Sequence, residues 1–323
     1  MPTLGDLPYW FLAAPVVALG LAFGSFLNVV VYRLPRGENL AYPPSRCPNC
    51  GKAIRAFDNV PVFGWLALLG KARCCGARIS PRYPLVEALG GLAAWAVFEV
   101  RVVPLAPETL WWKALLVFLP YFVLVLGLIA ATFIDLEYMI LPDEITLGGA
   151  VLGVLTVPLR GEVTWTESLI GAGIGFVMIW LPFDVLYRKI RGRAGMGMGD
   201  AKLTMLAGAW FGWPGAVFAL LAGAVQGTVV AIVLFAAQGK IEEPEAVKRE
   251  REELLRAIAE AETEDERREL TAELEADPIG EEASDALGQS RLPFGPFLVL
   301  GTLEFMIFGQ YFVDNYLAYL RVL

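Results

Sequence analysis

Residues 114–134 read ALLVFLPYFVLVLGLIAATFI, and Asp135 follows them directly. A helix needs about 20 mostly apolar residues to cross the hydrocarbon core of a bilayer, and this stretch has that length without a single charge. An acidic side chain at the end of a membrane span is energetically unfavourable, so it is found there mainly where it has a function. The stretch therefore predicts a membrane helix with a candidate functional carboxylate at one end.

The composition of the whole chain points the same way. Of its 323 residues, 56% are hydrophobic and only 19% are charged, and the mean hydropathy is +0.56, whereas soluble domains carry about 25% charged residues. Further apolar runs, two of them short, are candidate spans: 10–31, 85–103, 145–159, 169–186, 203–213, 216–237 and 297–317. We therefore predict an all-α integral membrane protein with about eight transmembrane helices.

The charges are distributed unevenly among the loops. If the N-terminus lies outside, the inside loops are 32–84, 135–144, 187–202 and 238–292, and they carry 22 of the 26 Lys and Arg residues. This excess matches the tendency of cytoplasmic loops to be basic. The net charge of −8 comes from one segment, since 239–292 holds 18 acidic and 8 basic residues. The sequence has no basic stripe with interleaved aromatic residues, so nucleic acid is not an expected partner.

Two segments lie outside the predicted spans. Residues 32–84 hold all four cysteines and are rich in proline, glycine and arginine, which predicts a small cytoplasmic module. Residues 241–276 show apolar side chains at helical spacing among Glu and Arg, with a capping box at 263–266 and a helix end at Asp277-Pro278. We interpret this charged insert mainly as a solvated helical hairpin; the alternative is a docking site for assembly proteins.

The chain contains no histidine, which excludes Ser-His-Asp and Cys-His nucleophilic catalysis and histidine-ligated metals. Carboxylates remain as candidates. Asp200 ends the sequence GMGMGD at 195–200, at the start of another span, and like Asp135 it falls on the predicted inside face. Two carboxylates held close together share a proton, so one can activate water while the other donates to a carbonyl oxygen. Such a pair would hydrolyse a peptide bond without a nucleophilic side chain.

For either aspartate alone, a structural role is an equal alternative. Asp135 would then mark the water boundary, and Asp200 would cap its helix, since Asp is a favoured N-cap residue. We interpret Asp143 mainly as the N-cap of the following span. Asp184 is predicted to pair with Arg188, four residues later on the same helix.

Several sequence blocks together resemble the type IV prepilin peptidases, which are bifunctional leader peptidase/N-methyltransferases among the membrane aspartic proteases with a Gly-x-Gly-Asp motif. The blocks are FIDLE (133–137), LPD (141–143), GMGDAKL (197–203) and LPFGPF (292–297), with GSFLNVVVYRLP (24–35) and YPLVE (83–87) nearer the N-terminus. They occur in this order along most of the chain and are interrupted only by the acidic insert.

The resemblance implies that Asp135 and Asp200 are the catalytic pair. It also implies an enzyme of the bacterial inner membrane whose active site faces the cytoplasm. Such an enzyme cleaves the short basic leader of type IV prepilins or pseudopilins after a Gly. It then methylates the new α-amine with S-adenosylmethionine as the methyl donor.

The resemblance also implies a structural zinc ion held by four cysteines. Cys47-Pro48-Asn49-Cys50 has the spacing of a metal knuckle, but Ala72 stands where the family has its third cysteine. We predict that Cys47, Cys50, Cys74 and Cys75 bind the metal, with Cys74 as the substitute ligand. The alternative is a degenerate knuckle without metal.

For methyl transfer the sequence offers weaker signals, because no glycine-rich cofactor fingerprint is present. Glu87, at the start of the second span, could hold the substrate amine or be structural. Asn28 is a polar group inside the first span, where the small residues Gly24 and Ser25 permit close helix packing, and a structural role is its alternative. We therefore predict both residues as candidates for methyl transfer or cofactor binding.

These predictions divide the chain into five parts: a first span (1–31), a cysteine module linked to methyl transfer (32–84), a peptidase core (85–237), an acidic insert (238–292) and a last span (293–323). Three rival functions remain open. One is an ion-coupled transporter, since intramembrane carboxylates also mark carriers. The others are a membrane scaffold that recruits assembly proteins and a protease that has lost methyltransferase activity.

Overall fold

The computed structural model describes residues 2–47, 49–191, 196–238, 245–261, 263–276 and 292–320. Within these residues the regular structure is helical, and extended backbone pairs only in three isolated bridges. The all-α prediction is therefore confirmed for the described part of the chain. The helix end predicted at Asp277-Pro278 lies outside the described residues.

The longer helices follow one another along the chain, and the loops between them carry short helical turns. In chain order they are α1 (Tyr9–Arg33), α2 (Arg82–Val97), α3 (Trp111–Tyr138), α4 (Asp143–Leu155), α5 (Trp165–Ile179), α6 (Met198–Gln238), α7 (Glu245–Glu260), α8 (Glu264–Ala276) and α9 (Gly295–Leu320). Helices α2 and α5 continue as π-helical turns, through Phe98–Val102 and Trp180–Leu186 respectively.

Four helical segments of the described chain are long and apolar enough to cross a membrane: Tyr9–Arg36, Trp111–Tyr138, Trp165–Ile190 and Met198–Ala237. Gly295–Gly309 is also apolar but shorter. These segments support a helical membrane protein. The total of eight spans stays a prediction.

Helix α6 contains a sharp break that explains why the sequence shows two apolar runs there. Gly212 has φ 69° and ψ −175°, a conformation that glycine adopts far more readily than other residues. Pro214 follows and lacks the N–H that would continue the helical hydrogen bonds. The predicted runs 203–213 and 216–237 therefore form the two arms of α6, on either side of this break.

The chain divides into two compact units. The first contains Met1–Ala131 and Leu155–Glu162, and the second contains Thr132–Val154 and Val163–Leu323. Glycines allow the main helices of each unit to approach closely. In the first unit, a Cβ atom on Gly90 of α2 would lie 2.7 Å from the Cα atom of Gly24 on α1.

In the second unit, α6 packs against α5 and α9 along its two arms. A Cβ atom on Gly301 of α9 would lie 2.8 Å from the carbonyl oxygen of Ala219 in the second arm. On the first arm, the buried Thr204 hydroxyl donates to the carbonyl oxygen of Gly175 on α5 at 2.9 Å. These contacts fix where α6 and α9 begin, and the candidate active site lies at those helix starts.

Candidate active site and thiolate cluster

Asp135 lies in the last turn of α3 and is almost fully buried, with 5% of its surface exposed. Its Oδ2 atom accepts a hydrogen bond from the backbone N–H of Gly295 at 2.9 Å. Gly295 is the first residue of α9, and the first N–H groups of a helix have no partner within the helix. The start of the last helix thus supplies the donor that orients this carboxylate.

The contact depends on the residue at position 295 being glycine. A Cβ atom there would lie 2.6 Å from Asp135 Oδ2 and 3.1 Å from its Cγ atom, too close for the carboxylate to stay in place. The sequence block LPFGPF at 292–297 contains this glycine, but it was used only for the family resemblance, and no contact with Asp135 was predicted. Gly295 is therefore a site residue that the sequence analysis missed.

Asp200 lies in the first turn of α6 and is half-buried. Its backbone N–H donates to the carbonyl oxygen of Gly197 at 3.2 Å, so the glycine-rich segment folds back over the helix start. A Cβ atom on Gly197 would lie 3.6 Å from Asp200 Oδ2. The structure describes this segment from Met196 onward, and Gly195 lies outside the described residues.

The end of α3 and the starts of α6 and α9 converge around Leu141. A Cβ atom on Gly199 would lie 2.9 Å from Leu141 Cβ, and one on Gly295 would lie 3.2 Å from Leu141 Cδ2. The carboxylate of Asp200 also acts electrostatically on that of Asp135. The fold thus brings the two predicted aspartates into one site, although they lie far apart along the chain.

An ion pair joins the segments that carry the two aspartates. Lys202 Nζ donates to Asp143 Oδ1 at 2.6 Å. Asp143 is the first residue of α4, and its carboxylate binds this lysine, so interpreting it mainly as an N-cap missed its partner. The predicted pair of Asp184 and Arg188 is present, at 2.5 Å.

The four cysteines of the N-terminal module form one cluster. The Sγ atoms of Cys47 and Cys75 are 3.7 Å apart and those of Cys50 and Cys74 are 3.3 Å apart, and all four lie within 4.8 Å of one another. A tetrahedral zinc ion with Zn–S bonds of about 2.3 Å separates its sulfur ligands by about 3.8 Å. The donor set and its spacing therefore fit a metal ion of this kind.

Two knuckles with the same backbone pattern build the cluster. In the first, the Gly51 N–H donates to the carbonyl oxygen of Cys47 at 2.9 Å; in the second, the Gly76 N–H donates to that of Ala72 at 2.7 Å. Ala72 thus occupies the position that corresponds to Cys47. Cys74, two residues later, places its sulfur in the cluster instead.

Backbone N–H groups stabilise thiolates in these knuckles. Hydrogen bonds from the N–H groups of Cys50 and Asn49 lower the pKa of Cys47 to about 6. The N–H of Ala77 likewise lowers the pKa of Cys75. Thiolates are the forms that bind metal ions, so the backbone here favours ligation.

The two residues predicted for methyl transfer both connect α2 to its surroundings in the first unit. Glu87 is half-buried, and its Oε2 atom accepts the backbone N–H of Val62 at 2.6 Å. Asn28 Nδ2, on α1, donates to the carbonyl oxygen of Tyr83 at 3.2 Å. Each of these two side chains therefore makes a hydrogen bond to the backbone of the first unit.

Comparison with known proteins gives two family matches and a set of relatives. Residues 18–100 match the model described as the bacterial Peptidase A24 N-terminal domain, and residues 122–232 match that of the type IV leader peptidase family. No solved structure matches the chain.

Three similar curated proteins are all named prepilin leader peptidase/N-methyltransferase. The protein from Pectobacterium carotovorum subsp. carotovorum is 36% identical over 247 residues, which cover 70% of this chain and 84% of the relative. That from Myxococcus xanthus is 37% identical over 242 residues, covering 74% and 68%. That from Aeromonas hydrophila is 37% identical over 249 residues, covering 70% and 82%.

Proposed function

Because the chain belongs to the prepilin leader peptidase/N-methyltransferase family, we propose that Asp135 and Asp200 are the catalytic carboxylates of a membrane endopeptidase that removes prepilin leaders. The observation that carries this proposal is the convergence of the two aspartates at three helix ends, with the Gly295 N–H on Asp135 Oδ2. Asp135 lies within α3 and Asp200 is the third residue of α6, so neither occupies an N-cap position, which supports chemistry rather than capping.

The chemistry needs only the two carboxyl groups and water. The ionised carboxylate takes a proton from water while the water oxygen bonds to the carbonyl carbon of the scissile peptide, and the protonated partner donates to the carbonyl oxygen. The carbon–nitrogen bond then breaks as a proton passes to the leaving nitrogen. The Gly295 N–H holds one carboxylate in place through these steps.

The proposed setting is the bacterial inner membrane, with eight spans and the active site on the cytoplasmic side. The four loops predicted to lie inside carry 22 of the 26 Lys and Arg residues of the chain, as cytoplasmic loops do. A prepilin held in the bilayer with its leader in the cytoplasm would present its scissile bond at the level of these helix ends. Type IV prepilins or pseudopilins are the proposed substrates.

Substitution of each aspartate tests the peptidase assignment. Asp135→Asn and Asp200→Asn, purified in lipid nanodiscs, should each fail to shorten a full-length prepilin. Each should still methylate a synthetic peptide that begins with the mature N-terminus, because that reaction bypasses cleavage. Normal cleavage by either variant would reject the assignment, and loss of both reactions would indicate misfolding, which thermal unfolding of the same sample would reveal.

For the second reaction we propose that the first unit binds S-adenosylmethionine, which supplies the methyl group. The carboxylate of Glu87 can accept a hydrogen bond from the neutral substrate amine and stabilise the positive charge that the nitrogen gains as it takes the methyl group, since charge-assisted hydrogen bonds are strong. Asn28 adds a carboxamide on the neighbouring helix, one that already donates to Tyr83. We also propose that the cysteine module 32–84 contributes to this methyl transfer.

Zinc is the proposed ion for the thiolate cluster, with Cys47, Cys50, Cys74 and Cys75 as ligands. The four-sulfur donor set and its near-tetrahedral spacing support this choice. The metal would hold the two knuckles together and would have a structural role.

The proposed division of the chain keeps 85–237 as the peptidase core, 238–292 as the acidic insert and 293–323 as the last span. Helices α7 and α8 of the insert are the proposed contact for assembly proteins. Gly295 follows the insert and orients Asp135. The last span therefore belongs to the peptidase site in this proposal.

A further inference from the structure

A short helix in the N-terminal module presents large apolar side chains outward. Within and just after the helix Phe63–Ala67, Phe63 is 64% exposed, Leu66 is 53% exposed and Leu69 is 84% exposed. Phe63 and Leu66 are three residues apart and so share a face of the helix. We refer to residues 60–69 as the interfacial turn.

The inner side of the interfacial turn is already packed. Gly64 lies against the carbonyl oxygen of Asp58, with no room for a Cβ atom. Trp65 Nε1 donates to the carbonyl oxygen of Ile79 at 3.0 Å, and its ring lies against Gly70. The fold of the module therefore buries one side of this helix and leaves Phe63, Leu66 and Leu69 exposed on the other.

The residues that flank the helix have an uncommon backbone conformation. Val62 has φ 62° and Leu69 has φ 50°, in a region that branched and bulky residues rarely adopt. Leu69 keeps this conformation while 84% of its surface is exposed. The backbone hydrogen bonds of the helix end, from the Leu69 N–H to the carbonyl oxygen of Leu66 and from the Gly70 N–H to that of Trp65, hold this conformation and leave the Leu69 side chain pointing outward.

The hydrogen bond from the Val62 N–H to Glu87 Oε2, 2.6 Å long, ties the interfacial turn to α2. A Cβ atom on Gly24 of α1 would lie 2.8 Å from the Cα atom of Glu87, so Glu87 lies level with Gly24. Gly24 precedes Arg33, the last residue of α1, by nine residues, which is about 13 Å along the helix. Because α1 is long and apolar enough to cross a membrane, Glu87 and the end of the interfacial turn that is hydrogen-bonded to it lie alongside the apolar span, where lipid is within reach.

The charge of the module complements an anionic surface. Residues 32–84 contain nine Lys and Arg residues and only two acidic residues. Arg55 and Lys71 stand on either side of the interfacial turn and are both exposed. Basic residues next to a span attract anionic phospholipids.

We propose that the interfacial turn inserts its three outward apolar side chains into the boundary between headgroups and acyl chains of an anionic bilayer, with Arg55 and Lys71 at lipid phosphates. An apolar surface rimmed by basic side chains is typical of segments that lie in a membrane interface. A second copy of the same face would bring equal positive charges together, so the charge favours lipid. This proposal does not depend on the catalytic assignments.

Lipid crosslinking tests the proposal on the full-length protein. The protein is placed in nanodiscs of phosphatidylcholine with one quarter phosphatidylglycerol, or of phosphatidylcholine alone, each with a trace of phospholipid that carries a photoreactive acyl chain. Peptide mapping then measures the label on residues 60–69. The test variant is Phe63→Ser/Leu66→Ser/Leu69→Ser, and Tyr42→Ser is the control, because Tyr42 is equally exposed in the same module.

We expect strong labelling of the interfacial turn in the wild type and in Tyr42→Ser, and at least a tenfold loss in the triple variant. Arg55→Gln/Lys71→Gln should reduce labelling in the anionic discs to the level of neutral discs. Equal melting temperatures in detergent would show that these exposed substitutions leave the fold intact. Absence of acyl-chain label on the wild-type turn, equal label in both lipids, or crosslinks between two copies through this turn would each overturn the proposal.

Discussion

The carboxylate pair and the thiolate cluster are assembled in opposite ways. Asp135 is held by Gly295, 160 residues away, through the packing of long helices in the second unit. The sulfur pairs are only 24 and 28 residues apart, and two hydrogen-bonded knuckles hold them. The acid pair should therefore be sensitive to helix packing, whereas the cluster should respond to ligand identity and tolerate changes in the helices.

The largest effect is expected from Gly295→Ala. The added Cβ atom would lie 2.6 Å from Asp135 Oδ2, and displacement of a catalytic group by about 1 Å can lower a rate about 100-fold. Prepilin cleavage should fall by that amount in a timed gel assay, while methylation of a pre-cleaved peptide should continue. Gly148→Ala is the control, since a Cβ atom there meets nothing within 4 Å; equal cleavage by both variants would contradict a role for Gly295.

A second prediction exchanges one ligand of the thiolate cluster. Cys74→Ser should lower the bound metal from about one ion per chain to a small fraction, since a structural zinc site needs four ligands. Ala72→Cys/Cys74→Ser should restore it, because Ala72 occupies the knuckle position that matches Cys47. Elemental analysis of the two purified variants measures the metal content of each. Full metal content in Cys74→Ser alone would show that Cys74 is not a ligand.

Two substitutions of Glu87 separate its anchoring contact from its charge. Glu87→Gln keeps an acceptor for the Val62 N–H but removes the negative charge, whereas Glu87→Ala removes both. If the charge holds the substrate amine, both variants should lose about tenfold in methylation rate, which is the order of one charge-assisted hydrogen bond. Transfer of labelled methyl groups to a pre-cleaved peptide measures this. Wild-type methylation by Glu87→Gln would leave Glu87 with a positioning role only.

The smallest effect is expected for the ion pair between Asp143 and Lys202, because Asp143 is largely exposed and such pairs contribute about 1 kcal/mol or less. Asp143→Asn and Lys202→Gln should each slow cleavage by no more than about fivefold. The double variant should be no slower than either single one, since both remove the same interaction. Fully additive losses would show that the two residues act separately.

Sequence reasoning located the acid pair because each aspartate adjoins a long apolar run, where a charge is expensive. It missed Gly295, since nothing local to a glycine at a helix start reveals a carboxylate that comes from a different helix. It also missed Val62 as the partner of Glu87, because a backbone N–H carries no sequence signal. The apolar runs around Gly212 were separated correctly, although the structure joins them as arms of one helix.

The thiolate cluster shows a different limit of sequence reasoning, which concerns local backbone geometry. The sequence predicts that the adjacent Cys74 and Cys75 both bind the ion, but it does not show how they can do so, because neighbouring side chains diverge in regular structure. The second knuckle brings both sulfurs inward at its turn, where Gly76 has φ 71°. Spacing rules describe regular backbone and therefore could not anticipate this arrangement.

The bond between Asp135 and the N–H of Gly295 also sets an order of events during synthesis. The ribosome makes Asp135 first and must add 160 more residues before the donor exists, which takes roughly 8–30 s at bacterial elongation rates. The final helix must then enter the bilayer and dock. A nascent chain therefore lacks the hydrogen bond that orients the Asp135 carboxylate until α9 has been made and has packed in place.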